Sequence, residues 1–180
     1  AIGRKYDTLL EVYFDGQGYA QKDEIAQVRK YHKNPNMWDY FLRTRIAVDS
    51  LEDLLDEKEG NLDKVQMLFA DMEEREEAWK ELEREGVFEL VGSLQYNIEI
   101  NAVGVNKGTG LVNLGKMLGI RREEIMACGD GDNDIAMLKE VGFGVAMANA
   151  EEKVKAVADY ITESNNDEGV AKAIEKFVLK

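Results

Sequence analysis

From Gly129 to Leu138 the chain reads Gly-Asp-Gly-Asp-Asn-Asp-Ile-Ala-Met-Leu, which puts carboxylates at 130, 132 and 134 and an amide at 133. Three acids at alternate positions repel one another. A hard divalent cation relieves that repulsion, and an oxygen-rich loop suits Mg²⁺. The apolar run Ile125-Met126-Ala127-Cys128 reads as a buried parallel strand, and Ile135 to Lys139 as the start of a helix. The acids therefore stand at the carboxyl end of a strand, where open α/β sheets bind ligands. Gly129 and Gly131 are expected to let the backbone turn tightly there. An EF-hand is a poor match, because its sixth position would be Ile135 rather than Gly and its twelfth Val141 rather than Glu. Upstream, Gly104-Val105-Asn106-Lys107-Gly108-Thr109-Gly110 carries a lysine just before a helix, but it lacks the Gly-Lys-Ser/Thr order of a P-loop.

Taken together, Gly104 to Gly108, Gly119-Ile120 and Gly129 to Asp134 resemble the haloacid dehalogenase superfamily, and more narrowly its Cof-type phosphatases with a large α/β cap. The run Gly144-Val145-Ala146-Met147-Ala148-Asn149-Ala150, then Ala158-Asp159-Tyr160-Ile161-Thr162 and Asn166-Asp167-Glu168-Gly169-Val170, continues the likeness. It is continuous from about Ile98 to Lys180 and looser before that. The resemblance implies an aspartate nucleophile attacking a phosphoryl group beside Mg²⁺. It assigns catalytic roles to Lys107, Asp130 and Asp134. Lys107 and Asn133 would bind phosphate, Asp130 would ligate the metal, and Asp134 would support the metal or its waters from just outside. It also implies an α/β fold: the C-terminal half of a doubly wound, Rossmann-like parallel core (103–180) preceded by a cap domain (1–102) that selects substrate.

One departure dominates. The family's Asp-x-Asp-Gly-Thr motif is absent, as is its Ser/Thr phosphate-binding motif. In the nearest candidate, Tyr13-Phe14-Asp15-Gly16-Gln17-Gly18, Gln17 stands where the second Asp belongs, and Asp15-Gly16 reads instead as a hairpin turn. The chain is expected to begin inside its cap, without its nucleophile segment, and to show no turnover alone.

Composition agrees with a folded domain. Of 180 residues 44% are hydrophobic, and the formal net charge of −13 disfavours nucleic acid or an anionic membrane as partner. Residues 49–85 hold 15 acids against 5 bases, mostly on two helical segments, which reads as a solvated face. The single cysteine, Cys128, excludes a disulfide framework and fits a reducing cytoplasm. The single histidine, His32, leaves no His-based zinc site or triad and belongs at a helix end. The resemblance implies a small phosphorylated metabolite, such as a sugar phosphate, as the substrate. The rival readings are a non-catalytic binding or assembly module with a structural metal loop, and a phosphomutase of the same superfamily. Tyr6, Tyr13, Tyr19, Trp38 and Tyr40 are candidates for a substrate-facing cap surface, against the commoner role of core packing.

Periodicity predicts strands at 8–14, 19–20, 64–69, 87–91, 96–100, 125–128, 141–147 and 160–161. Helices are expected from Asp23, as cap, to about His32, from Met37 to Arg45, and from Ser50 to a stop at Gly60-Asn61. Another runs from an Asp71/Glu74 capping box to Glu85, with Met72, Trp79 and Leu82 inward and Asp71–Arg75 and Glu76–Lys80 paired outside. Later helices span 109–118, packing Leu111, Leu114 and Leu118, then 151–157. A last one starts near Asp167 and buries Val170, Ile174, Phe177 and Val178.

Overall fold

The computed structural model describes residues 2–58, 60 and 62–179, and the chain divides into two compact units, 1–103 and 104–180. No helix among the described residues is long and apolar enough to cross a membrane.

The first unit is a six-stranded sheet with helices on both faces. Its elements are β1 (Thr8–Phe14), β2 (Gln17–Gln21), α1 (Lys22–Ala26), α2 (Val28–Tyr31), α3 (Trp38–Thr44), β3 (Arg45–Val48), α4 (Leu51–Glu57), β4 (Leu62–Phe69), α5 (Met72–Glu85), β5 (Phe88–Val91) and β6 (Asn97–Ala102). The strand order is β3-β2-β1-β4-β6-β5. Only β2 and β3 pair in parallel. Asp15 and Gly16 both have positive φ (52° and 75°), the two-residue hairpin turn that an Asp-Gly pair favours. Alternation along β1 sends Leu9 to one face, against Val28, Tyr31 and Phe41, and Val12 and Phe14 to the other, against Leu51. On that second face Met67, Phe69 and Ile98 pack on Ala78 and Leu82 of α5.

Several local expectations are corrected here. Asp23 lies inside the first turn of α1 rather than capping it, and the helix breaks at Gln27 (φ −102°, ψ 13°) before α2 begins. Asp71 caps α5 by accepting from the Glu73 and Glu74 amides, but the Glu74 carboxylate reaches the Asp7 amide, so the cap lacks its reciprocal half. Met72 is exposed. Among the described residues neither outer ion pair of α5 forms. Arg75 turns inward instead, donating to the Asn97 carbonyl (3.0 Å) and stacking on Trp79. The Ser50 cap is present, whereas the stop at Asn61 lies outside the described residues.

Arg45 is the C-cap of α3, where its backbone turns extended. It opens β3, beside β2 where Gly18 leaves room: a Cβ there would lie 2.8 Å from Arg45 Cδ. Its guanidinium meets the fully buried carboxylate of Glu11, which also accepts from Gln66 (2.8 Å) and Tyr13 (3.2 Å). Burial pushes the Glu11 carboxyl and the Tyr13 phenol up. His32 is the C-cap of α2 and is buried, its ring nitrogen 3.1 Å from the Tyr96 hydroxyl.

The second unit comprises α6 (Lys107–Leu118), β7 (Met126–Gly129), α7 (Ile135–Glu140), β8 (Phe143–Ala146), α8 (Glu152–Lys155), β9 (Tyr160–Ile161) and α9 (Gly169–Phe177). Its three strands are parallel in the order β7-β8-β9, around a core of Leu138, Ala146, Ala150 and Val154. Asn106 and Thr109 form a reciprocal capping box on α6, and Gly119 (φ 72°) stops it. Among the described residues β7 pairs with β8 alone. The expected burial of Leu114, Leu118, Val170, Ile174, Phe177 and Val178 is not found: all six are exposed. Their spacing makes an apolar stripe, and Phe177 meets Phe143 of β8 and Tyr160 of β9 at its edge (ring centroids 4.7 and 5.0 Å), but the fully buried residues of α6 and α9 are their small ones, Gly108, Gly115, Gly169 and Ala173.

Replacing Arg45 by Met strands a buried carboxylate. Urea unfolding should show a loss of about 3–5 kcal/mol, most of it recovered when Glu11→Met is added.

Candidate active site

The site is built where the loops after β7, β8 and β9 meet, and close helix packing sets its geometry. Gly108, in the first turn of α6, lies so near α7 that a Cβ there would be 2.7 Å from the Ala136 carbonyl oxygen. That approach brings Lys107 onto the acidic loop, with its Nζ 2.5 Å from Asp134 Oδ1. The other Asp134 oxygen, Oδ2, accepts from the backbone amides of Asp130 (2.9 Å) and Gly131 (3.0 Å). Asp134 is 6% exposed, so both its oxygens are spoken for inside the protein. Burial acts to raise its carboxyl. The Lys107 ammonium and the two amides outweigh that and hold it below the usual carboxylate range.

The glycines of this loop serve a different purpose from the one expected. Neither Gly129 nor Gly131 has positive φ. Gly129 is required because Asp134 folds back beneath the strand end, where a Cβ would lie 2.5 Å from that of Asp134. At Gly131 a Cβ would lie 2.8 Å from Asn133 Oδ1.

The three acids have three different partners. Asp134 takes Lys107. Asp132 takes Lys153 from the start of α8, at 2.5 Å. Asp130 takes only a neutral amide, Nδ2 of Asn149, at 3.0 Å on its Oδ2. Oδ1 of Asp130 and the side-chain amide of Asn133 have no hydrogen-bond partner among the described residues. Lys107 and Asp134 are thus brought into contact, and Asp130 and Asn133 flank them in the same loop. Cys128 is half-buried in β7, and burial pushes its thiol up, away from nucleophile chemistry.

No group of three or more Asp, Glu, His or Cys side chains converges to hold a metal among the described residues. Oδ1 of Asp132 is also without a hydrogen-bond partner among the described residues, but its carboxylate carries the Lys153 ammonium, whereas Asp130 presents an exposed oxygen on a carboxylate that no ammonium touches. That fits Mg²⁺ as a single hard ligand, since this ion keeps several waters and uses one or two carboxylates. Sequence reasoning did not find Lys153, which no local spacing ties to Asp132. Asn149 was visible only as part of a matched run and carried no chemistry of its own.

The model of the haloacid dehalogenase-like hydrolases matches residues 4–174. A 5-amino-6-(5-phospho-D-ribitylamino)uracil phosphatase of Bacillus subtilis is 50% identical over 105 residues, 58% of this chain and 42% of that protein. A phosphoglycolate phosphatase of Methanosarcina acetivorans is 41% identical over 81 residues, 45% of this chain and 36% of that protein. The solved structure of a haloacid dehalogenase-like hydrolase from B. subtilis superposes with a TM-score of 0.78 at 26% identity, covering 98% of this chain and 67% of that one. The chain therefore spans less than half the length of these two curated relatives.

Two outcomes follow from the geometry. Gly108→Ala must part α6 from α7 and should cost about 1–3 kcal/mol in urea unfolding, as overpacking does. Because the Asp134 carboxyl is depressed in the folded state, its contribution is complete above the ordinary aspartate value of about 3.9 and is lost as pH falls through the lower folded value. Lys107→Met should flatten that acid limb of a stability–pH profile.

Proposed function

The chain belongs to the haloacid dehalogenase-like hydrolase family, and we propose that it is part of a Mg²⁺-dependent phosphomonoester hydrolase acting on a small phosphorylated metabolite, such as a sugar phosphate. The observation that carries this reading is the Lys107–Asp134 pair set beside the open carboxylate of Asp130 at the end of a parallel strand. The two curated relatives described above are both named for phosphomonoesters of small metabolites, which supports the substrate class. The single cysteine fits a reducing, cytoplasmic setting.

In this reading the reaction runs through an aspartyl phosphate. An aspartate outside these 180 residues attacks phosphorus, the substrate alcohol leaves, and water then releases phosphate. Mg²⁺, when bound, neutralises charge on the phosphoryl oxygens. Asp130 would supply one carboxylate oxygen to it. Asp134 acts from outside the metal's own ligands, holding Lys107 and two amides of the loop in place. Lys107 donates to a phosphoryl oxygen, and its side chain is half exposed while its ammonium is held by Asp134, so its reach is set before phosphate arrives. Asn133 offers its free amide to the same phosphoryl group. Residues 1–102 select substrate as the cap, and 103–180 form the C-terminal part of the core.

The test has two readouts. In NMR titrations with orthophosphate, the amides of 107 and 130–134 should shift when Mg²⁺ is present, and Lys107→Met should weaken that response at least tenfold. The 180-residue chain, checked by intact mass, should not hydrolyse p-nitrophenyl phosphate. Turnover at that mass overturns the missing nucleophile. Mg²⁺ binding without any phosphate response favours a non-catalytic module with a structural metal loop.

A further inference from the structure

We infer that Asn149 is a positioning residue for Asp130: it orients that carboxylate without neutralising it, so that one oxygen stays open for a divalent cation. The inference rests on the metal reading above and assigns a role to a residue that reading does not use.

Asn149 sits in a turn with little freedom. Met147 donates its amide to the Gly129 carbonyl (3.0 Å), tying the turn to the end of β7, and Ala150 donates to Met147 (3.0 Å) while its side chain is buried in the core. The side-chain amide is locked in one orientation. Its Oδ1 accepts from the Asn165 backbone amide (2.9 Å), so Nδ2 is the end that faces Asp130. Asn165 is itself held by a closed corner. Gly169 donates to the Ser164 carbonyl (3.1 Å), Thr162 Oγ1 donates to the Gly169 carbonyl (2.7 Å), and Glu168 has a positive φ of 60°. A Cβ at Gly169 would lie 2.1 Å from the Glu163 carbonyl oxygen, so the corner closes only around glycine. A chain of fixed groups thus runs from this corner through Asn165 and Asn149 to Asp130.

The chemistry of each partner separates the three acids. Lys107 and Lys153 place an ammonium on Asp134 and Asp132, and an ammonium competes with a divalent ion for the same lone pairs. An amide donor occupies one oxygen and leaves the full negative charge on the group. Asp130 is therefore the acid that is aligned without an ammonium competing for its lone pairs.

Manganese ion serves as the probe, since its paramagnetism broadens nearby amide signals. In the ¹⁵N-labelled chain, MnCl₂ should broaden the amides of 130–134 first. Asn149→Leu and Asn149→Ser should each raise the Mn²⁺ concentration needed by about 10–100-fold, the usual cost of removing an orienting partner of a ligand. Lys153→Met should lower it, because Asp132 is then released. Equal Mn²⁺ response in a folded Asn149→Leu or Asn149→Ser variant, even with a lowered melting temperature, makes Asn149 a loop staple and overturns the inference. If Leu at 149 unfolds the chain, the smaller polar Ser variant decides. Absence of broadening in the unsubstituted chain instead sinks the metal reading, and the inference with it.

Discussion

A carboxylate taken out of water must be met by donors, and Asp134 is where this structure meets that demand. At 6% exposure it takes an ammonium on one oxygen and two backbone amides on the other. Everything near the site is arranged so that those donors can arrive. Gly108 lets α6 come close enough to α7 for Lys107 to reach across. Gly129 leaves space for the side chain to fold back under its own strand. The loop from 130 to 133 is then not free to wander, because its first two amides are bound to the residue that ends it.

The same logic explains why three neighbouring acids coexist. They are sorted by partner rather than collectively neutralised. Two have lysines, drawn from different elements, and the third has an amide. The buried Glu11 of the first unit obeys the rule in a different setting, with a guanidinium, an amide and a phenol around it. Among the described residues each of these two buried carboxylates is met by a cationic side chain carried on a different element.

How far this could be read in advance depends on the range of the interaction. Hairpin chemistry at Asp15-Gly16, the Ser50 cap and the strand–loop–helix around Asp130 are local, and the residues themselves announce them. The role of Arg45 is not local: it belongs to a strand because Gly18, far away in sequence, makes room for it. The apolar stripes on α6 and α9 were visible as patterns, but a pattern says which face is apolar and not whether anything packs against it. The glycines of the acidic loop were recognised as necessary for the wrong reason, since crowding from Asp134 rather than a special φ demands them. Lys153 and Asn149 reach the loop from another crossover, a distance along the chain that spacing rules do not bridge.

A loop with a single carboxylate that no ammonium touches has a logical character as well as a chemical one. An ion gripped at one point stays only while other oxygens grip it too, so occupancy of such a site would report a conjunction rather than a concentration. Under the metal reading proposed above, the loop would be one key of a two-key lock: Asn149 would keep that key turned the right way, and the second would be brought by whatever else enters the site.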